Sequence, residues 1–455
     1  MNLEPEAGPD APPAGESRPT DSTLGPALAL SPTGPVAESN RLLGLDVARA
    51  VALLGIFFVN ASIFGLPFAS IMDPSAPPGE GPIGLTFYWF TMIFCAGKFY
   101  PLFSLLFGVG LAIMFTSNKA RGRSFHAAFF RRLVMLAGFG IAHIALLWPG
   151  DILLIYAGVG LWMLLLGGLR PRALLVIAGV VFAIGVLLSC GFAMVTAVSP
   201  PPGEVAPRPM PPGDTPLEQW AGVFKDWNQN EPYDSRMIEL ESRILREGPF
   251  LAALAVRAFN YAFTMVYVIL VMFWSVLACF CTGAALLKLG FFHGKCERLR
   301  TVFIGLGLGV GLPLNVLAAI GSQFHGESPW GLISTFGMQV GGPLMSLMYL
   351  SLIMKWAESG AASALAKTLA NLGRMGLTGY LLESLLMSAV MAHWGLAKFG
   401  LTTWAERGAL VIGIYLIILV IANVWMRAFA FGPLEWLWRS WTYLKIQPLS
   451  RRSAA

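Results

Sequence analysis

Residues 140–157 read GIAHIALLWPGDILLIYA. Two apolar runs meet at a Trp-Pro-Gly-Asp turn, which predicts a tight hairpin between two membrane-spanning helices. His143 sits inside the first run and Asp151 at the turn. Ionisable groups at membrane depth are costly, so both need a reason to be there.

The pattern repeats outward in both directions. Of 455 residues, 56% are hydrophobic and only 12% charged, where soluble domains carry roughly 25% charge. The chain therefore reads as an all-α polytopic transmembrane helix bundle, with no room for a large soluble catalytic domain. Ten spans are predicted, near 45–66, 100–117, 132–149, 152–169, 173–198, 257–287, 301–322, 331–354, 376–396 and 408–430. The aromatic-rich segment 82–98 either crosses or lies flat as an interfacial helix.

Charge bears on that choice. Lys and Arg gather at 118–132, after 169, at 288–300, at 355–374 and at 439–452, while 149–151 and 323–330 carry none. These basic loops share one side only if 82–98 does not cross, and both termini are then cytoplasmic. The formal charge of +6 thus reflects membrane orientation and does not point to nucleic acid. Residues 1–39 are rich in Pro, Ala, Gly and Ser and predict a disordered tail. The chain divides into an N-terminal transmembrane half (40–198), an extracytoplasmic loop (199–250), a C-terminal half (251–430) and an interfacial segment (431–455). The loop opens proline-rich and continues with amphipathic helices, as a cap over an outward cavity or as a connector.

The cysteines lack CxxC spacing, and Cys279-Phe-Cys281 reads as small apolar filler. His293-Gly-Lys-Cys296 has no second half, so no metal site is expected. Gly-rich stretches at 108–114 and 305–311 follow no strand and read as helix-packing surfaces.

Other polar residues stand out against the apolar background. Asp46 and Arg49 share a helix face at the start of the first span. They form either a local ion pair or a site where Arg49 holds an anion. Asn60 ends the same span and needs a hydrogen-bond partner. His143 is either a satisfied core residue or a base oriented by Asp151. Lys98, Tyr156, Asn260, Asn315, Gln339, Glu383 and His393 are further polar groups at membrane depth, and Glu383 needs a partner from another span. His325 lies in a short loop.

The runs RLLGLDVARAVALLGIFFVN (41–60), KFYPLFSLLFGVGLAIM (98–114) and RRLVMLAGFGIAHIALLWPGDILLIYAGVG (131–160) resemble the bacterial YeiB family. So do GRMGLTGYLLESLL (373–386) and FGPLEWLWRSWTYLK (431–445), which resemble that family's C-terminal domain of unknown function. The resemblance covers residues 41 to 447 and implies a multi-pass protein of the bacterial inner membrane. The N-terminal half is also similar to the transmembrane acyltransferase group, which includes heparan-alpha-glucosaminide N-acetyltransferase. That similarity implies an acyl-CoA donor, such as acetyl-CoA, on the cytoplasmic side and an envelope acceptor, often a sugar, on the far side. Where the O-acylating branch of that group ends its first span in a catalytic histidine, this chain has Asn60, and residues 61–97 hold no histidine. The resemblance therefore implies that His143 is the base, with Asp151 behind it and Asn60 as an oxyanion donor. Asp46, Arg49, Arg374 and the basic loop at 119–132 are then candidates for the coenzyme's phosphates. A homodimer is an open expectation. The rival class is a proton-linked transporter using His143 and Glu383, although no internal repeat is evident. A non-catalytic membrane partner is a third.

Overall fold

The computed structural model describes residues 43–71, 81–120, 125–198, 209–225, 234–324, 329–361 and 363–451. The tail at 1–39, Arg121, Arg123, the proline-rich run up to 208 and His325 lie outside them.

The described elements are helical, apart from one isolated bridge between Phe429 and Ser450. In order they are α1 (Leu43–Phe64), α2 (Phe68–Ile71), α3 (Gly81–Phe90), α4 (Phe99–Ala120), α5 (Phe125–Leu146), α6 (Leu153–Leu166), α7 (Pro171–Val198), α8 (Pro216–Lys225) and α9 (Ser235–Glu247). There follow α10 (Phe250–Tyr267), α11 (Phe273–Lys288), α12 (Glu297–Leu306), α13 (Leu312–Gly321), α14 (Trp330–Glu358), α15 (Ser363–Gly373), α16 (Gly376–Met391), α17 (Trp404–Ala428) and α18 (Pro433–Tyr443). In lipid every backbone amide must be satisfied within its own segment, and long apolar runs meet that demand as helices.

Eight helical stretches are long and apolar enough to cross a membrane. The expected spans at 152–169 and 376–396 are the shorter apolar helices α6 and α16. The expected span at 257–287 corresponds to α10 and α11, joined through the π-helical turn Val268–Met272. Segment 82–98 does not stand apart from the next helix. Gly81–Asn118 is one apolar stretch of 38 residues, broken where Ala96 is extended and Gly97 turns left-handed at φ +78°. Only glycine adopts that φ without strain. At this break the buried Lys98 Nζ donates to the Met92 carbonyl at 2.7 Å.

The face where α1 begins is here the first face, and the face where it ends is the second. On the first face α18 is tied to the start of α5. Trp438 Nε1 donates to the Arg132 carbonyl (2.8 Å), Trp441 Nε1 to the Arg131 carbonyl (3.1 Å), and Arg131 Nε to the Thr442 carbonyl (2.9 Å). Leu437, Trp441, Leu444 and Ile446 remain exposed along this segment, as an amphipathic helix on a membrane surface requires.

Glu435 of α18 caps α16. One carboxylate oxygen accepts from Leu377 N (2.6 Å) and Thr378 N (2.9 Å), the other from Thr378 Oγ1 (2.6 Å). Burial pushes the Glu435 carboxyl above its usual value of 4.5, outweighing those hydrogen bonds. A raised folded-state value means that the folded protein holds this proton more tightly. The stabilisation is complete below the unfolded value and fades as pH rises through the folded one. Thermal unfolding midpoints of wild type should therefore fall as pH is raised above 4.5, and Glu435→Gln should flatten that slope; equal slopes would refute the assignment.

On the second face, the described part of loop 199–250 folds onto α10. Trp220 and Phe224 meet Phe259 edge-on at 4.9 and 4.6 Å between ring centres. Glu241 of α9 accepts from Asn260 Nδ2 (2.6 Å) and from Phe68 N (3.0 Å), joining α9, α10 and α2.

Candidate functional site

The hairpin from α5 to α6 turns at Pro149-Gly150 and brings His143 and Asp151 together. His143 Nδ1 lies 2.9 Å from Asp151 Oδ2, and both side chains are fully buried. The other oxygen, Oδ1, accepts from Leu154 N at 2.7 Å and so caps the start of α6. Gly140, one turn before His143, makes the closure possible. A Cβ there would sit 2.7 Å from both Asp151 Oδ1 and Leu154 N. Trp148 stacks on Phe64 at the end of α1, with ring centres 4.8 Å apart. Against an ionised Asp151 the shared proton sits on Nδ1, which leaves a lone pair on Nε2. That Nε2 is buried and has no hydrogen-bond partner.

Beside the turn is a cavity of about 160 Å³. Its polar lining comes from Asn60, Asp151, Tyr261, Thr264 and Tyr380; the rest is largely Ile, Met, Val and Trp. Few polar groups converging on an apolar cavity is the usual composition of a small-molecule site. Asp151 lines the cavity and His143 does not, so the carboxylate stands at the wall with the imidazole behind it. Tyr261 Oη is buried without a partner. The Tyr380 ring lies 5.2 Å from that of His143, and its hydroxyl donates to the Gly150 carbonyl at 3.4 Å. One turn along α16, both carboxyl oxygens of the buried Glu383 are without a hydrogen-bond partner. The π-helical turn at the end of α10 contributes Val268 and Met272 to the wall, and such turns recur at functional sites.

At the first face, Arg49 Nη1 pairs with Asp46 Oδ1 at 2.6 Å. Arg132 lies 3.6 Å over the Trp438 ring, and the charges of Arg49 and Arg439 both bear on it. Arg374 Nη2 donates to the Ala430 carbonyl at 3.2 Å. Its neighbour Gly373 does approach the Asp46 carbonyl so closely that a Cβ would overlap it. Asn60 lies three turns further along α1 than Arg49, roughly 16 Å.

The remaining polar residues hold helices together. Tyr156 bonds Ser104 (2.8 Å) and the Tyr100 carbonyl (3.1 Å), Asn315 donates to the Met345 sulfur (3.3 Å), and Gln339 donates to Ser189 (2.8 Å). All five cysteines are free, and buried Cys281 lies 3.9 Å from the Met163 sulfur. Among the described residues no group of three His, Cys, Asp or Glu side chains is placed to hold a metal.

Sequence reasoning passed over Tyr261, Tyr380 and Arg257. Tyr380 stands three residues before Glu383, on the same helix face. That spacing was the available signal.

Residues 286–445 match the family described as "Protein of unknown function (DUF418)". The chain is 26% identical over 438 residues to the uncharacterised protein YxaH of Bacillus subtilis, covering 93% of this chain and all of that one. It is 29% identical over 410 residues to the uncharacterised protein YeiB of Escherichia coli, covering 88% of this chain and 96% of that one. No solved structure matches. The likeness runs almost end to end in both relatives, through the helices that build the cavity and the C-terminal region alike, and the chain is similar along nearly its whole length to the uncharacterised YeiB and YxaH proteins.

Proposed function

We propose that the protein is a membrane acyltransferase of the bacterial inner membrane, moving an acyl group from cytoplasmic acyl-CoA to an envelope acceptor. The observation that carries this reading is the buried Asp151–His143 pair at the wall of a cavity that Asn60, Tyr261 and Tyr380 share. The positive-inside rule makes the arginine-rich first face cytoplasmic. Arg49, Arg132 and Arg439 then supply the positive field for the coenzyme's phosphates.

In the reaction the acceptor's hydroxyl or amine attacks the thioester carbonyl. Asp151 takes the acceptor's proton, and His143 shares the charge through Nδ1. Asn60 and Tyr261 stabilise the oxyanion. The carbon–sulfur bond breaks, and the coenzyme leaves as a thiol once the proton reaches its sulfur. The orphaned oxygens of Glu383 favour one second reading, proton-linked transport.

Calorimetry with acetyl-CoA on purified protein tests the first. Wild type should bind, and Arg49→Ala should bind at least roughly tenfold more weakly, the loss of one charge-assisted contact. Absence of wild-type binding at roughly 1 mM acetyl-CoA would overturn the acetyl-donor reading and leave transport ahead.

A further inference from the structure

Arg257 lies on α10 one turn before Tyr261, on the second-face side of the cavity. It is 3% exposed. Nη2 donates to the Ala145 carbonyl at 2.9 Å, in the last turn of α5, while Nε is buried with no partner. No carboxylate acts on this guanidinium among the described residues. A buried cation without a counter-charge is costly, and helix capping alone uses one of its five donors.

A second basic group on which the Arg257 charge acts is His393, in the turn that follows α16. Its Nδ1 is also buried without a partner. Burial, and next the charge of Arg257, hold this imidazole below its usual value of 6.5. The acids on the surrounding elements are engaged elsewhere. Glu241 of α9 is held by Asn260 and Phe68 N, and Asp151 by His143 and Leu154 N. Tyr261, on α10 itself, and Lys398, in the turn that carries His393, are further titratable groups on this side. Two basic groups with spare donors are complementary to a tetrahedral oxyanion.

We propose that Arg257 and His393 bind a phosphate-type oxyanion, Arg257 lying one helical turn before the cavity-lining Tyr261 on α10. This deepens the acyl-transfer reading and rests on it in one respect: the oxyanion is assigned to the acceptor, making the acceptor a phosphate-bearing molecule. Two sources share that chemistry, a phospholipid headgroup within the bilayer and a water-soluble phosphate.

The test reads His393 by NMR of histidine-labelled full-length protein, its signal assigned with His393→Gln among the five histidines. Inorganic phosphate is titrated into the detergent-solubilised protein. In parallel, nanodiscs of phosphatidylglycerol are compared with nanodiscs of phosphatidylcholine. Bound oxyanion should raise the His393 midpoint by about one pH unit, a tenfold gain in proton affinity. Phosphate should accordingly bind more tightly as pH falls. Arg257→Gln should weaken phosphate binding at least roughly tenfold, with Arg257→Lys intermediate. An unchanged His143 signal shows that each variant is folded. A response to phosphate alone assigns a soluble ligand; a response to phosphatidylglycerol alone, or to both, assigns a headgroup. A midpoint indifferent to every arm overturns the proposal and leaves Arg257 as a helix cap. Phosphate binding without any acetyl-CoA binding would keep this site and remove the acyl-transfer reading.

Discussion

Asp151→Ala is expected to cost about 3–5 kcal/mol of stability, because it strips one partner from a fully buried ionisable pair. Two losses add in this variant. His143 Nδ1 loses its acceptor, and Leu154 N loses the oxygen that caps α6. Asp151→Asn separates these. Its amide oxygen still accepts from Leu154 N, so the cap survives, but the carboxylate assigned as base in the proposed acyl transfer is gone. The Asn variant should therefore melt much closer to wild type than the Ala variant while being inactive in acyl transfer. His143→Phe combined with Asp151→Leu supplies the third point. Replacing both members with apolar groups should recover much of the stability lost in Asp151→Ala. Thermal unfolding of purified protein in one detergent measures all three. An Asp151→Ala variant within about 0.5 kcal/mol of wild type would mean that the pair is not formed in the membrane.

This pair was legible in the sequence because its two residues are joined by their own turn. A Pro-Gly corner between antiparallel helices made contact between positions 143 and 151 possible, and the fold makes it. Asn60 was legible as the end of a span. Tyr261 and Tyr380 were not, because each reaches the cavity from a helix far away in sequence, and an apolar run does not say which face it turns inward. Arg257 escaped for a different reason. A span predicted to begin at 257 makes it an interfacial anchor, whereas α10 begins at Phe250 and carries the guanidinium inside. Arg374 was legible only as a charge near the end of a helix. Its charge made it a candidate for the coenzyme's phosphates, and in the fold one of its donors goes to the backbone at Ala430. The spans themselves were readable because length and hydropathy alone select them. What hydropathy did not carry was the continuity of 81–118, where the helix breaks at Gly97 and resumes.

The second large effect lies in the contact between α4 and α11. A Cβ at Gly108 would overlap the Phe280 carbonyl, and one at Gly283 would overlap the Leu105 carbonyl. Each glycine faces the backbone of the other helix, so the two helices touch main chain to main chain at two points. Membrane helices gain their association from such close approach, since lipid offers no hydrophobic force between them. Gly108→Ala or Gly283→Ala must push the helices apart, because no side chain is there to yield. The separation strains the Phe107–Phe280 stack (4.8 Å) and the hydrogen bond from Tyr100 to Ser275 (3.2 Å). Each variant should lose about 1–3 kcal/mol. The double variant should lose less than the sum, since the first substitution already opens the gap the second needs. Gly110 is the control: it lies on α4 with nothing within 4 Å of its would-be Cβ. Gly110→Ala should leave stability unchanged or raise it by up to about 1 kcal/mol, the difference in helix propensity. Equal melting of the Gly108 and Gly110 variants would mean that α4 and α11 do not approach this closely. Because α11 continues from α10 through the π-helical turn, displacing it also moves Val268 and Met272 at the cavity wall. If the proposed acyl transfer is the activity, the Gly283 variant should therefore lose it out of proportion to its stability, and the Gly110 variant should lose none.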